Sequence, residues 1–169
     1  MTAATADGPL PLSVVTALYL RTKALHAEAE RTGIIRSLLR GEASRAGYIL
    51  FLRNLLPAYR AMERGLERHR SSPGIALLSR YRLERTLAIE TDLAALCGER
   101  WIEDIPLLAA GDIYAKRVSH AADGDGLRLI AHAYTRYLGD LSGGQILQCL
   151  LARSLELRPV GLTVVDVPH

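Results

Sequence analysis

The chain has 169 residues and a mass of 18.5 kDa, a length that predicts one domain, residues 1–169, around a single hydrophobic core. With 49% hydrophobic and 23% charged residues, its composition excludes an intrinsically disordered chain. The formal net charge is only +3 and the two signs are interspersed, which argues against a nucleic-acid partner. Lys23 and Lys116 are the only lysines among 21 cationic residues.

Cysteine usage and the N-terminus bear on location. Cys97 and Cys149 lie too far apart for a metal-binding pair and are too few for a disulfide framework. Both are therefore expected to be small core residues in a reducing compartment, which favours the cytoplasm. Residues 1–12 are interpreted as a leader that lacks the pattern of a signal peptide. No apolar run reaches the length of about 20 residues that spans a bilayer, so no membrane span is expected.

Hydrophobic spacing of three and four predicts an all-α protein. The first helix is expected to begin after an N-cap at Ser13 and to end near Thr32. Its predicted buried stripe consists of Val15, Leu18, Thr22 and Leu25. A short helix over 34–39, closed by Gly41, and a long helix over 44–69 follow. Pro57 lies inside the long helix and should bend or break it.

The second half is predicted to contain three more helices, at about 80–96, 107–121 and 127–157. A turn at 71–74 precedes the first of them and a loop at 123–126 precedes the last. Residues 159–169 read as an extended, valine-rich tail.

The last predicted helix contains an anomaly, because Gly139, Gly143 and Gly144 interrupt an apolar helical pattern. Each glycine costs about 1 kcal/mol relative to alanine in a helix interior. A bare backbone strip permits the close approach of another helix or of a flat ligand. Asp140 lies within the strip and forms either a plain helix pair with Arg136 or part of a site. Together these residues favour a kinked helix lying over a ligand pocket.

Residues 141–145, LSGGQ, also spell the signature loop of ABC-type ATPases. Such ATPases require a phosphate-binding loop in which a lysine follows glycine. Neither lysine of this chain follows a glycine. The ATPase interpretation is therefore rejected.

Residues 133–145 resemble in full the distal-helix signature of the haem (heme) oxygenase family. Residues 20–30 are similar to that family's proximal segment, and 59–63 and 83–93 match in order and approximate spacing. The resemblance covers about residues 12–168. It implies a multihelical heme oxygenase-like fold in which heme lies between a proximal and a distal helix.

The resemblance also implies a reaction, the oxidative cleavage of heme to biliverdin, carbon monoxide and Fe(II). The reaction consumes O2 and electrons from an external donor, such as a reductase or a ferredoxin. Heme b would be both the substrate and the prosthetic group.

On the proximal side, the resemblance assigns His26 as the ligand of the heme iron. Glu30 follows one turn later and would orient the imidazole, although a solvated helix charge remains an alternative. Lys23 and Tyr134 match heme-contacting positions, and Lys23 would reach a propionate. The other four histidines are interpreted as surface or packing residues.

On the distal side, the resemblance assigns Asp140 to proton donation through ordered water during oxygen activation. Arg136 and Tyr59 match positions of the same hydrogen-bond network, while a plain core role stays open for Tyr59. The residues expected to lie against the heme with little or no side chain are Gly139, Ser142, Gly143 and Gly144.

Two departures from the family pattern are visible. Tyr19 stands where a lysine is common, and the family usually continues well beyond residue 169. A chain without those further helices is expected to have a more open pocket and weaker heme binding. The alternative is therefore a non-catalytic heme-binding protein with a truncated fold. A di-iron helical bundle is discounted because Glu-x-x-His pairs are missing from the sequence.

Overall fold

The computed structural model describes residues 13–78, 81, 83–137 and 139, and every regular element among them is a helix. The helices are α1 (Val14–Glu30), α2 (Gly33–Leu39), α3 (Arg45–Arg68), α4 (Pro73–Ala76), α5 (Thr86–Cys97), α6 (Trp101–Asp104), α7 (Ala109–Ala121) and α8, which is helical over 129–137. The all-α prediction is confirmed. None of the helices in these ranges is long and apolar enough to cross a membrane.

Helix α1 begins where the sequence predicts, because the Ser13 hydroxyl accepts a hydrogen bond from the Thr16 backbone N–H at 3.2 Å. The predicted burial of its apolar stripe is wrong. Leu18 is 45% exposed, Leu25 is 67% exposed, and Thr22 is also exposed. Among the described helices, α1 packs chiefly against α2 and not against the buried helix α3.

The core is built around α3, which packs against α7 and α5. Leu52 and Leu56 of α3 belong to the same hydrophobic core as Ile89 and Leu93 of α5, and all four side chains are almost fully buried. Pro57 lies within α3, which continues across it without the break that the sequence allowed. Burial on this scale stabilises each large side chain by about 1.5–3 kcal/mol relative to exposure.

The start of α5 differs from the sequence prediction. The helix begins at Thr86 rather than near Arg80. Glu63 of α3 explains the difference, because its carboxylate accepts hydrogen bonds from the backbone N–H groups of Arg85 and Thr86 at 2.7 and 2.9 Å. A carboxylate at this end of a helix satisfies amide groups that have no partner within the helix. The start of α5 is thus set by Glu63, a residue of α3.

Two short helices were not predicted. The proposed turn at 71–74 instead leads into α4, with Pro73 in the first helical turn, where its missing N–H is not needed. Helix α6 begins at Trp101, whose ring is buried. The Arg53 guanidinium lies 5.6 Å from the centre of that ring and donates a hydrogen bond to the Ile105 carbonyl at 3.2 Å.

The predicted loop at 123–126 is confirmed. Gly124 and Gly126 have φ angles of 66° and 71°, a conformation that glycine adopts readily. Helix α8 then presents Leu129, Ala133 and Tyr137 to the core at a spacing of four. The leader, the tail, Cys149 and the rest of the predicted last helix lie outside the described residues.

Candidate functional site

On α1, His26 and Glu30 lie one turn apart and their side chains meet. The Nδ1 atom of His26 is 3.2 Å from a Glu30 carboxylate oxygen, and the histidine side chain is 74% exposed. A carboxylate at Nδ1 holds the proton there and leaves the Nε2 lone pair on the other side of the ring. The His26 imidazole is therefore accessible and is oriented by Glu30, as metal-ligating histidines are.

Lys23 lies on the same helix, and its ammonium group is 5.9 Å from the centre of the Tyr19 ring. An exposed contact of this type contributes about 0.5 kcal/mol, too little to immobilise the side chain. Lys23 is therefore free to reach an anionic group beside His26. Tyr19 thus places an aromatic ring beside Lys23, at the position where the resemblance leads one to expect a lysine.

Tyr59 and Arg136 form a contact between α3 and α8. The Arg136 Nε–H group donates a hydrogen bond to the Tyr59 hydroxyl at 3.3 Å, and the guanidinium carbon lies 5.6 Å from the centre of the Tyr59 ring. Tyr59 is only 2% exposed and also packs against Tyr137, with ring centres 6.0 Å apart. Tyr59 is thus both a core residue and a polar partner of Arg136.

Sequence reasoning missed a neighbouring pair, Tyr114 of α7 and His132 of α8, whose ring centres are 5.9 Å apart. Burial raises the pKa of Tyr114, and the nearby Arg136 charge partly opposes this shift. Burial also lowers the pKa of His132. The sequence could have indicated His132, because it lies four residues before Arg136 and therefore on the same helix face.

Gly139, two residues after residue 137 of α8, is exposed. Among the described residues, no atom lies within 4 Å of the position that a Cβ on Gly139 would occupy. None of the other described helices therefore packs against this glycine. Tyr134, on α8, is 52% exposed.

The other residues of the predicted distal site, Asp140, Ser142, Gly143 and Gly144, lie outside the described residues. The structure thus brings His26 to Glu30 and Arg136 to Tyr59. An exposed imidazole with a carboxylate at Nδ1 fits the heme iron that the sequence resemblance implies. A cleft of about 620 Å³ is lined by residues of α3 and α4, by Tyr137 of α8 and by Tyr81, Leu83 and Glu84. Of the described residues that line it, none belongs to the predicted site.

Comparisons with known proteins agree with the sequence resemblance. A family model described as Heme oxygenase matches residues 12–168. The chain is 39% identical over 153 residues to Heme oxygenase 1 of Homo sapiens, covering 90% of this chain and 53% of that protein. It is 36% identical over 140 residues to Heme oxygenase 1 of Nostoc sp. (strain PCC 7120), covering 83% of this chain and 59% of that protein.

Solved structures resemble the chain in fold as well as in sequence. Heme oxygenase-1 from Synechocystis sp. PCC6803, solved in complex with heme, has a TM-score of 0.84 and 32% identity, over 92% of this chain and 70% of that one. The heme oxygenase of Leptospira interrogans has a TM-score of 0.86 and 32% identity, over 93% and 77%.

The chain spans about half the length of the curated relatives it matches. Within that span the family model and the fold extend over nearly all of its residues. The chain has the all-helical heme oxygenase fold and belongs to the heme oxygenase family.

Proposed function

We propose that this chain is a heme oxygenase, which cleaves heme oxidatively to biliverdin, carbon monoxide and Fe(II). The observation that carries the proposal is the exposed His26 imidazole held by Glu30, 3.2 Å from Nδ1, in a chain of this family. Heme b is the substrate and, until it is opened, the prosthetic group. It supplies the iron and the carbon atom at which the macrocycle opens.

His26 binds heme through Nε2 in this proposal. Glu30 accepts the Nδ1 proton, which selects the required tautomer and makes the imidazole a better electron donor. Lys23 carries a compact positive charge three residues before His26 and pairs with a heme propionate. Tyr134 is exposed on α8 and supplies a further heme contact.

On the distal side, Gly139 and the glycines at 143 and 144 let the backbone approach the heme without a side chain between them. Arg136 is fixed by the Tyr59 hydroxyl, so its remaining guanidinium N–H groups have a defined direction. Asp140 follows Arg136 by four residues, and it holds and delivers protons through water. Ser142 is a further proposed heme contact in this segment.

The reaction needs O2 and an external source of electrons. We propose a ferredoxin or a flavoprotein reductase as the donor, and a cytoplasmic location. Two widely separated cysteines support a reducing compartment, and Cys97 is a free thiol. A small net charge with interspersed signs supports the absence of a nucleic-acid partner.

The proposal is tested by titrating the purified chain with hemin and then adding reductant in air while spectra are recorded. We expect a one-to-one complex whose Soret band decays into a biliverdin absorption. A stable complex that does not turn over would instead support a non-catalytic heme-binding protein. Absence of any specific complex would contradict both functions.

The His26→Ala variant tests the proposed iron ligand. We expect it to lose the spectrum of a histidine-ligated heme. His120→Ala is a matched control, because His120 is also exposed and its Nδ1 atom also lies close to a carboxylate. That carboxylate belongs to Asp123, three residues later, at 2.9 Å. The assignment fails if His26→Ala keeps the wild-type spectrum, or if His120→Ala loses it to the same extent.

A further inference from the structure

Gly65, on α3, lies against Leu129 at the beginning of α8 and against Ala122 at the end of α7. A Cβ at this position would lie 2.7 Å from Leu129 Cδ1 and 2.9 Å from Ala122 Cβ. Real Cβ atoms do not approach other atoms so closely, so only glycine fits without a shift of its neighbours. Leu129 is fully buried, and its side chain has no free surface toward which to move.

His69 lies one turn after Gly65, at the end of α3, and holds the connection that leads into α8. Its Nε2 atom is 2.8 Å from the Ala122 carbonyl oxygen, which has no partner within α7. A Cβ on Gly126 would overlap the His69 ring, so the loop backbone lies directly against the imidazole. We call Gly65, His69, Ala122, Gly126 and Leu129 the α3–α8 joint.

The joint is connected to the candidate site through the two helices. The chain runs from Gly65 back to Tyr59 along α3, and from Leu129 forward to Arg136 along α8. Both distances are about two helical turns, or about 10 Å, because a helix rises 1.5 Å per residue. The two helices are therefore antiparallel. A shift of α8 along α3 at the joint would also shift Arg136 relative to Tyr59.

We propose that Gly65 and His69 are positioning residues for the proposed heme oxygenase site. They set the position of α8 along α3, and through it the placement of Arg136 against the Tyr59 hydroxyl. Neither residue is among the proposed heme contacts. Only the predicted effect on hemin binding rests on the proposed function, since the Tyr59–Arg136 contact joins two residues of the chain itself.

The test uses the NMR signal of the Arg136 Nε–H group in the protein without heme, assigned with the Arg136→Lys variant. Tyr59→Phe gives the signal position when the hydroxyl acceptor is removed. We expect Gly65→Ala to move the Arg136 signal toward the Tyr59→Phe position. Gly47→Ala is the matched control on the same helix, because its Cβ would meet only side-chain ends, at 3.1 and 3.2 Å.

Three further variants keep the proposal falsifiable if Gly65→Ala does not fold. His69→Ala adds no volume and should move the Arg136 signal in the same direction, whereas His69→Gln keeps a donor for the Ala122 carbonyl and should move it less. In Gly65→Ala/Leu129→Ala the closer of the two overlaps at residue 65 is removed. This double variant should recover part of the wild-type signal.

Hemin titration provides the second readout. Gly65→Ala and His69→Ala should bind hemin several-fold more weakly than wild type, and Gly47→Ala should bind as wild type does. Folded Gly65→Ala and His69→Ala proteins with an unchanged Arg136 signal would overturn the proposal. Failure of the wild type to bind hemin would contradict the proposed function only, because the NMR comparison is made without hemin.

Discussion

His132 combines partial burial with a titratable ring, one turn before Arg136 and 5.9 Å from the Tyr114 ring. Burial lowers its pKa from the ordinary value of 6.5, so the folded state favours the neutral imidazole. Between the lowered pKa and 6.5 the unfolded chain binds more protons than the folded chain. Its contribution to stability is therefore full above pH 6.5 and is lost as the pH falls toward the folded-state pKa.

We predict that His132→Asn removes this part of the pH dependence. The free energy of unfolding of wild type minus that of the variant should fall as the pH drops from 8 to 5 and should not change above pH 7.5. Urea denaturation at several pH values measures this difference. His120→Asn, which changes an exposed histidine, serves as the control. A wild-type-minus-variant difference that is constant over the whole range would contradict the prediction.

Individual site residues were predictable where one helix relates them. His26 and Glu30 are four residues apart, and that spacing alone places their side chains together. Tyr114 was missed because its contact with His132 joins two helices, and no spacing within the chain encodes such a contact. The Tyr59–Arg136 contact also joins two helices, and it came from family resemblance instead.

Among the helices, α5 offers the clearest test of how one element fixes another. Glu63→Ala removes the carboxylate that accepts the Arg85 and Thr86 N–H groups. We expect a loss of about 2 kcal/mol in the free energy of unfolding, because two backbone donors lose a charged acceptor. Glu63→Gln keeps an oxygen acceptor and should lose less.

Urea denaturation measures both variants, with Glu67→Ala as a matched control. Glu67 is on the same helix, but its side chain is 71% exposed and pairs only with Arg70 across the surface. Exposed pairs of this kind contribute little to stability. An equal loss in Glu63→Ala and Glu67→Ala would show that the α5 boundary does not depend on Glu63.

The helices show where sequence periodicity stops being informative. It identified α1, α2, α3 and α7 because apolar residues recur every three or four positions. It placed the start of α5 six residues early, since the Glu63 carboxylate is contributed from a distant part of the chain. It also predicted burial for the Leu18–Leu25 stripe. A repeating pattern identifies the apolar face of a helix but not what covers that face.

For the whole molecule, the unequal burial of α1 and α3 predicts unequal stability. None of the α1 side chains that the structure describes is buried, whereas nine residues of α3 are. Amide hydrogens of α1 should therefore exchange faster than those of α3, because local opening of α1 exposes little apolar surface. Hydrogen exchange with mass spectrometry compares the two helices directly.

Hemin adds a second comparison to the same experiment. Binding at His26 should slow exchange in α1 and leave the slow amides of α3 almost unchanged, since ligand binding opposes the local opening of the site it occupies. Equal exchange of α1 and α3 in the protein without heme would contradict the burial argument. An unchanged α1 in a hemin-saturated sample would place the ligand elsewhere.

Arginine supplies nearly all of the positive charge of this chain, which leaves side-chain amines only on Lys23 and Lys116. Lys23 is exposed beside Tyr19, and Lys116 is 75% exposed beside Asp112. Reagents that acylate amines leave guanidinium groups untouched, so they have two side-chain targets on two different helices. Each molecule thus carries a reporter next to His26 and an internal reference on α7. The extent of acylation at Lys23, divided by that at Lys116 in the same digest, therefore reports how accessible the α1 surface is.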